Sequence, residues 1–251
     1  MSVELYNRGN HICVAFRDLV TGEAVQANQF LLIDGEHAAI IDPGGELTYS
    51  RLFMALSKYL NVTGLDYVIA SHQDPDIVAS INKWLVGTDC KVVVPALWER
   101  FIPHFTRPGK LQDRMITIPD AGMRLTLGNI QLMALPAHFL HAEGNFQFYD
   151  PVSKILFSGD LGANLAQSEL DTPVTRISDV IDTMRPFHRR YMNANKACRY
   201  WANMVRELEI EMIVPQHGRC FAGRAVNELI DWISTLECGL DLMTQDNYRL
   251  P

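Results

Sequence analysis

Residues 65–85, LDYVIASHQDPDIVASINKWL, decide how the rest of the chain is read. The run 65–70 is short and apolar, the pattern of a buried strand. Residues 77–85 are helix-like, and Pro75 suits the first turn of that helix, where its missing N–H has no partner to lose. Between them lies a polar knot, His72-Gln73-Asp74-Pro75-Asp76, with potential metal ligands at i, i+2 and i+4. On an ideal helix the middle ligand would point away from the other two, so the spacing serves a metal only in extended or loop backbone. The carboxyl end of a strand supplies that backbone, and it is where an α/β scaffold carries a site. The plain alternative is a helix cap by Asp74 or Asp76, and taken alone the knot supports both.

Outward from the knot the arrangement recurs. Pro136-Ala137-His138-Phe139-Leu140-His141 follows a strand at 130–135, Ser158-Gly159-Asp160 follows one at 154–157, and Pro215-Gln216-His217-Gly218 follows one at 212–214. Four strand ends converging on one rim give His72, Asp74, Asp76, His141, Asp160 and His217. Three imidazoles and three carboxylates suffice for two metals that share one carboxylate. Every donor is N or O, which points to iron, zinc or manganese. Three carboxylates and a bridging hydroxide balance two divalent ions without choosing between iron and zinc, although affinity alone favours zinc.

The flanking pattern gives the architecture. Residues 11–17 and 29–33 read as strands, and Asp34-Gly35 turns tightly into a third at 37–41. Residues 47–60 carry apolar side chains at 52, 53, 56, 59 and 60, a helical spacing, so the order switches to β-α-β. After a strand at 91–95, Gly128-Asn129 joins strands 123–127 and 130–135, and Asp150-Pro151 splits strands 145–149 and 154–157. Helices dominate from residue 177, notably 193–208 and 224–236. The expected fold is α/β, an αββα sandwich of two mixed sheets flanked by helices, formed as one domain over residues 1–251.

Composition removes several classes. Twenty-two Lys plus Arg against twenty-nine Asp plus Glu leave a charge of −7, and no basic run exceeds Arg189-Arg190, which argues against nucleic acid. No apolar stretch approaches the roughly 20 residues of a membrane helix. The N-terminus has neither a basic start nor an apolar core, so the expectation is a cytoplasmic protein with no membrane contact. Five scattered cysteines without a Cys-x-x-Cys pair argue against a disulfide framework and a thiolate metal site.

At the ligand positions the chain resembles the metallo-β-lactamase superfamily, whose usual first motif is His-x-His-x-Asp-His. Position 74 is Asp where a hydrolase has its second His, and position 77 is Ile where it has another. The carboxylate at 74 resembles the di-iron branch, the flavodiiron proteins, with His-x-Glu-x-Asp; Asp74 is a methylene shorter than that Glu. His141 in Leu-His, Asp160 nineteen residues later in Phe-Ser-Gly-Asp and His217 in Gln-His-Gly also fit. The similarity runs from Asp34-Gly35 and Ile41-Asp42-Pro43-Gly44 to His217.

The resemblance implies one iron at His72, Asp74 and His141, a second at Asp76 and His217, and Asp160 bridging. It implies a non-haem di-iron protein that binds or reduces O2 or NO, as an oxygen sensor or as a reductase, and a homodimer. Flavodiiron proteins carry a flavodoxin-like module of roughly 150 residues, a normal domain size. The sandwich here consumes nearly all 251 residues. No FMN is therefore expected within this chain, and electrons or signals would pass through a separate redox or signalling protein. The rival reading is a di-zinc hydrolase of the same fold acting on an ester, thioester or phosphodiester. Carboxylate-rich ligation favours a metal that cycles between Fe(II) and Fe(III), whereas a hydrolase wants a fixed Lewis acid.

Other residues carry two readings each. Phe139, Phe146, Phe148 and Tyr149 form an apolar neighbourhood suited to a diatomic gas, or sandwich core, the stronger reading for any one of them. His138, three residues before His141, is a candidate ligand or partner to a ligand, set against the stronger reading that an alternating strand end turns it elsewhere. The segment Phe187-His188-Arg189-Arg190-Tyr191, between Asp160 and His217, is where a lid over the metals would sit. His188 and Tyr191 are candidates for proton delivery or for hydrogen bonding to bound oxygen, set against the stronger reading of a basic solvated turn. Asp42 is expected to orient a ligand loop by hydrogen bonding without touching metal. His11, His37 and His104 show no company.

Overall fold

Residues 29–41 show how the sequence builds the sheets. Phe30 and Leu32 alternate with Leu31, and Ala39 and Ile41 with Ile40, yet all six are buried. A strand covered on both faces reads as a continuous apolar run, and both faces of this hairpin are covered. In the computed structural model, which describes residues 2–165 and 172–250, Phe30, Leu32, Ala39 and Ile41 pack into the space between two sheets. Leu31 and Ile40 pack outward against helices.

The first sheet has seven strands in chain order: β1 (Ser2–Arg8), β2 (His11–Phe16), β3 (Gln29–Asp34), β4 (His37–Ile41), β5 (Tyr67–Ile69), β6 (Lys91–Pro95) and β7 (Met115–Ile118). Pairing is antiparallel up to β4 and parallel from β4 to β7. The second sheet comprises β8 (Met123–Leu127), β9 (Ile130–Pro136), β10 (Phe146–Asp150), β11 (Ile155–Phe157), β12 (Met212–Val214) and β13 (Phe221–Ala222). It runs in the order β13-β12-β11-β10-β9-β8 and is antiparallel except between β11 and β12. Both sheets are thus mixed. They meet through side chains such as Phe30 and Phe157, whose rings are 5.1 Å apart.

Helices cover both outer faces. α1 (Tyr49–Leu56), α2 (Pro75–Val78) and α3 (Ile81–Gly87) serve the first sheet, and α4 (Ile181–Tyr191), α5 (Asn195–Val205) and α6 (Arg224–Thr235) the second. Trp84 of α3 is fully buried, worth roughly 1.5–3 kcal/mol of apolar burial. Its Nε1 donates to Ser80 Oγ (3.1 Å), and Ser80 Oγ donates to Gly44 O. This chain of bonds ties α3 to the loop after β4.

The layers are those of the αββα sandwich. Three differences from the sequence reading are local. The expected helix at 77–85 is two helices, because Ser80 turns its hydroxyl back to the 43–45 loop at the junction. β1, β7 and β13 are additional strands; β13 has two residues, too few for alternation to show. Residues 187–191, expected as a solvated turn, are the last turns of α4, with His188 fully buried. No helix among the described residues is long and apolar enough to cross a membrane.

The two sheets bring the carboxyl ends of β5, β9, β11 and β12 to one rim, each followed within a few residues by a site side chain.

Candidate metal centre

The rim is assembled from the backbone up. Asp42, just past β4, takes a left-handed conformation (φ 55°), and its buried carboxylate accepts the Ser71 N–H at 2.8 Å. Burial pushes the Asp42 carboxyl up to about 6. The bond holds the turn after β5, from which Ser71 Oγ reaches His72 Nδ1 at 2.9 Å. With Nδ1 engaged, Nε2 of His72 is the atom left for the site. His217 is fixed alike: its Nδ1 donates to Gln26 O at 2.7 Å. Such partners set tautomer and ring orientation for metal ligation.

Six side chains meet here in two groups. His141 Nε2 lies 3.3 Å from Asp74 Oδ2 and 2.9 Å from Asp160 Oδ2, while His72 Nε2 is 3.7 and 3.9 Å from the same two oxygens. On the other side His217 Nε2 lies 3.4 Å from Asp76 Oδ2 and 3.4 Å from Asp160 Oδ1. Asp160 therefore turns one oxygen to each group. His72, Asp74, His141 and Asp160 offer ligand atoms all within 4.8 Å of one another.

The electrostatics show a centre that holds protons when no cation is bound. Burial alone would lower His141, but its bonds to Asp160 and Asp74 outweigh that and hold it at about 10. His217 is likewise lowered by burial and raised more by Asp160, to about 9. Burial would raise Asp160, yet His141 and His217 beside it keep it well below the carboxylate range. Even so, His72 Nε2 and Asp160 Oδ1 are buried without a hydrogen-bond partner, a costly state for polar atoms. A cation among these N and O donors satisfies both, so the residues fit the metals that the donor set selects.

His188 does not face this centre as a proton donor. Its Nδ1 donates to Met184 O and its Nε2 accepts the Gly162 N–H, both at 2.9 Å, so both nitrogens are engaged. Burial pushes it down to about 4, neutral at pH 7. Its evident effect is to clasp the turn that carries Asp160. Tyr191 lies 5.7 Å ring to ring from His141 and stacks at 4.7 Å on Phe187, which sits 6.3 Å from His141. With Val20, Val25, Leu47 and Leu165 this pair makes the apolar mouth of a cavity of about 500 Å³ over the ligands.

Phe146, Phe148 and Tyr149 are sandwich core, and Phe139 is exposed beside α5. The apolar cover comes from α4 and the 20–25 loop instead. His138 bonds the Asp120 carbonyl at 2.8 Å, away from the ligands. His37 is exposed, 3.3 Å from Asp66. His11 does have company: it is buried with Nε2 2.7 Å from Asp150. Phe187, Gln26 and Ser71 were not read as site residues. Ser71 left a signal as the neighbour of His72 and Phe187 as part of the 187–191 segment, whereas Gln26 left none.

Two mixed sheets between helices, with six N and O donors gathered at one rim, define a metallo-β-lactamase-like protein with a candidate dinuclear centre. Residues 25–218 match the family described as "ODP family beta lactamase", and the chain belongs to that family. Among solved structures, one named "Peroxy diiron species of chemotaxis sensor ODP" is 36% identical, covers 99% of both chains and superposes with a TM-score of 0.87. The apo state of chemotaxis sensor ODP from T. denticola is 35% identical with a TM-score of 0.88, again over 99% of both chains. Rubredoxin oxygen:oxidoreductase from Desulfovibrio gigas shares the fold at 15% identity and a TM-score of 0.76, over 92% of this chain and 61% of that one. An uncharacterized protein of Methanocaldococcus jannaschii is 26% identical over 212 residues, 81% of this chain. The chain spans about half the length of that relative, 51%.

Proposed function

We propose that the chain is a non-haem di-iron protein that binds dioxygen as a sensor, with one iron at His72, Asp74 and His141, the other at Asp76 and His217, and Asp160 shared. The observation that carries this reading is Asp160: a single buried carboxylate with one oxygen turned to each of two His/Asp groups. The chemotaxis sensor described as a peroxy diiron species supports iron over zinc and sensing over turnover. When bound, two ferrous ions supply electrons and open coordination positions to a diatomic gas. The chain's own residues do the rest. Asp42 and Ser71 orient His72, Gln26 orients His217, and His188 holds the Asp160 turn through Gly162. Phe187 and Tyr191 cover His141 and limit water. A sensor hands its state to a signalling protein, and that is the partner this reading requires.

The test is metal analysis of protein made in iron-supplemented medium, then anaerobic reduction and a measured dose of oxygen. Two iron per chain and one long-lived coloured species are expected. Repeated oxygen consumption with an electron donor would make the protein a reductase. Two zinc per chain, no spectral change with oxygen, and turnover of a thioester or phosphodiester would instead establish the hydrolase.

A further inference from the structure

Away from the metal centre, two of the five cysteines meet. Cys198 on α5 and Cys238 just beyond α6 are forty positions apart in the chain, and their sulfurs are 3.8 Å apart. Both are buried and free. No other pair of cysteines among the described residues is in contact: Cys13 faces Asp150 and Ser153, and Cys90 faces Arg114.

The approach is built into the fold. Asp241 Oδ2 accepts the backbone N–H of Cys238 (3.1 Å) and of Asn195 (2.6 Å), one turn before Cys198. Asn195 Nδ2 in turn donates to Ser234 O and Leu236 O. These bonds hold the start of α5 against the segment that carries Cys238, so the two backbones are fixed at the separation that brings the sulfurs together. A disulfide has sulfurs about 2.0 Å apart, so about 1.8 Å must be closed.

We propose that Cys198 and Cys238 are a redox-active dithiol that a peroxide converts to a disulfide. Each thiol gives up one proton and one electron as the Sγ–Sγ bond forms, and hydrogen peroxide accepts both pairs to become two molecules of water. The thiolate of one sulfur is the nucleophile that attacks the peroxide, and the second sulfur, 3.8 Å away, displaces the transferred oxygen as water to close the Sγ–Sγ bond. A surface cavity of about 300 Å³ is lined in part by Leu236 and Glu237, the two residues before Cys238, although neither cysteine lines it. Neither cysteine belongs to the proposed ligand set, so the inference does not depend on which metal the centre holds.

The test uses the folded, metal-loaded wild-type chain. It is treated with a few equivalents of hydrogen peroxide, alkylated in denaturant and mapped by mass spectrometry, with and without dithiothreitol. Alkylatable thiols should fall from five to three, with one cross-linked peptide pair containing Cys198 and Cys238 that dithiothreitol releases. Five thiols remaining, a cross-link at any other pair, or added oxygen on either sulfur in place of the cross-link would overturn the proposal. Because the map is made on the unaltered chain, no variant has to fold for the answer to be read.

Discussion

Asp160 shows what a single residue does at this centre. Its oxygens divide between two groups of ligands, and neither group reaches the other except through it. In Asp160→Asn one oxygen becomes an amide that donates and cannot ligate, and the negative charge shared by the groups is lost. Iron per chain should fall below that of the parent protein while near-UV circular dichroism is retained, as metal analysis on the same sample would report. His188 gives a second test. Replacing it with Leu strands the buried Gly162 N–H, at a cost of about 1–3 kcal/mol. His188→Gln carries an acceptor near the same place and should recover part of that loss in urea unfolding. The side chains that meet at this rim were legible as candidate ligands because alternating donors at strand ends leave a mark in the sequence. The role of His188 was not, because only the phase of α4 decides which side chains of residues 187–191 turn inward.

At the scale of elements, α5 shows how a helix is fastened to a sheet near the site. Trp201 is buried against the second sheet, and its Nε1 donates to Gln147 Oε1 at 2.8 Å. Gln147 Nε2 donates in turn to Ser158 O, two residues before Asp160. Trp201→Phe keeps a ring but leaves Gln147 Oε1 buried without a donor, which should cost about 1–3 kcal/mol in chemical denaturation. A loss within error of zero would mean that this bond does not fasten α5. The hairpins β8-β9 and β10-β11 were legible from their turn residues, and α1 from its apolar spacing. The division between α2 and α3 was hidden because its cause, the bond from Ser80 to Gly44, joins segments 36 positions apart. The meeting of Cys198 and Cys238 was hidden for the same reason.

For the whole molecule, the centre couples folding to protons and metal. His141 at about 10 and His217 at about 9 stand above the ordinary imidazole value of 6.5. Between pH 6.5 and 10 the folded metal-free chain therefore binds more protons than the unfolded one. The stability these histidines contribute is fully present below pH 6.5 and is lost as pH rises through 9 and 10. His72 is raised as well and adds the same sign. The lowered Asp74 and Asp160 contribute stability above their ordinary value of 3.8, lost only as pH falls below it. His188, lowered to about 4, destabilises the fold only below 6.5, and Asp42, raised to about 6, changes state before the window opens. Metal ligation requires unprotonated imidazole, so bound ions replace the protons that produce this slope. Metal-free protein should lose stability on the order of several kcal/mol between pH 6.5 and 10. Metal-loaded protein should lose clearly less over the same range in denaturant titrations, keeping the slope that His11 and the buried Cys13 and Cys90, all raised, contribute to both forms. Equal slopes for the two forms would mean that these imidazoles are not where metal and protons compete. The same linkage requires iron affinity to rise with pH, which competition with a chelator at pH 6.5 and pH 9 would measure.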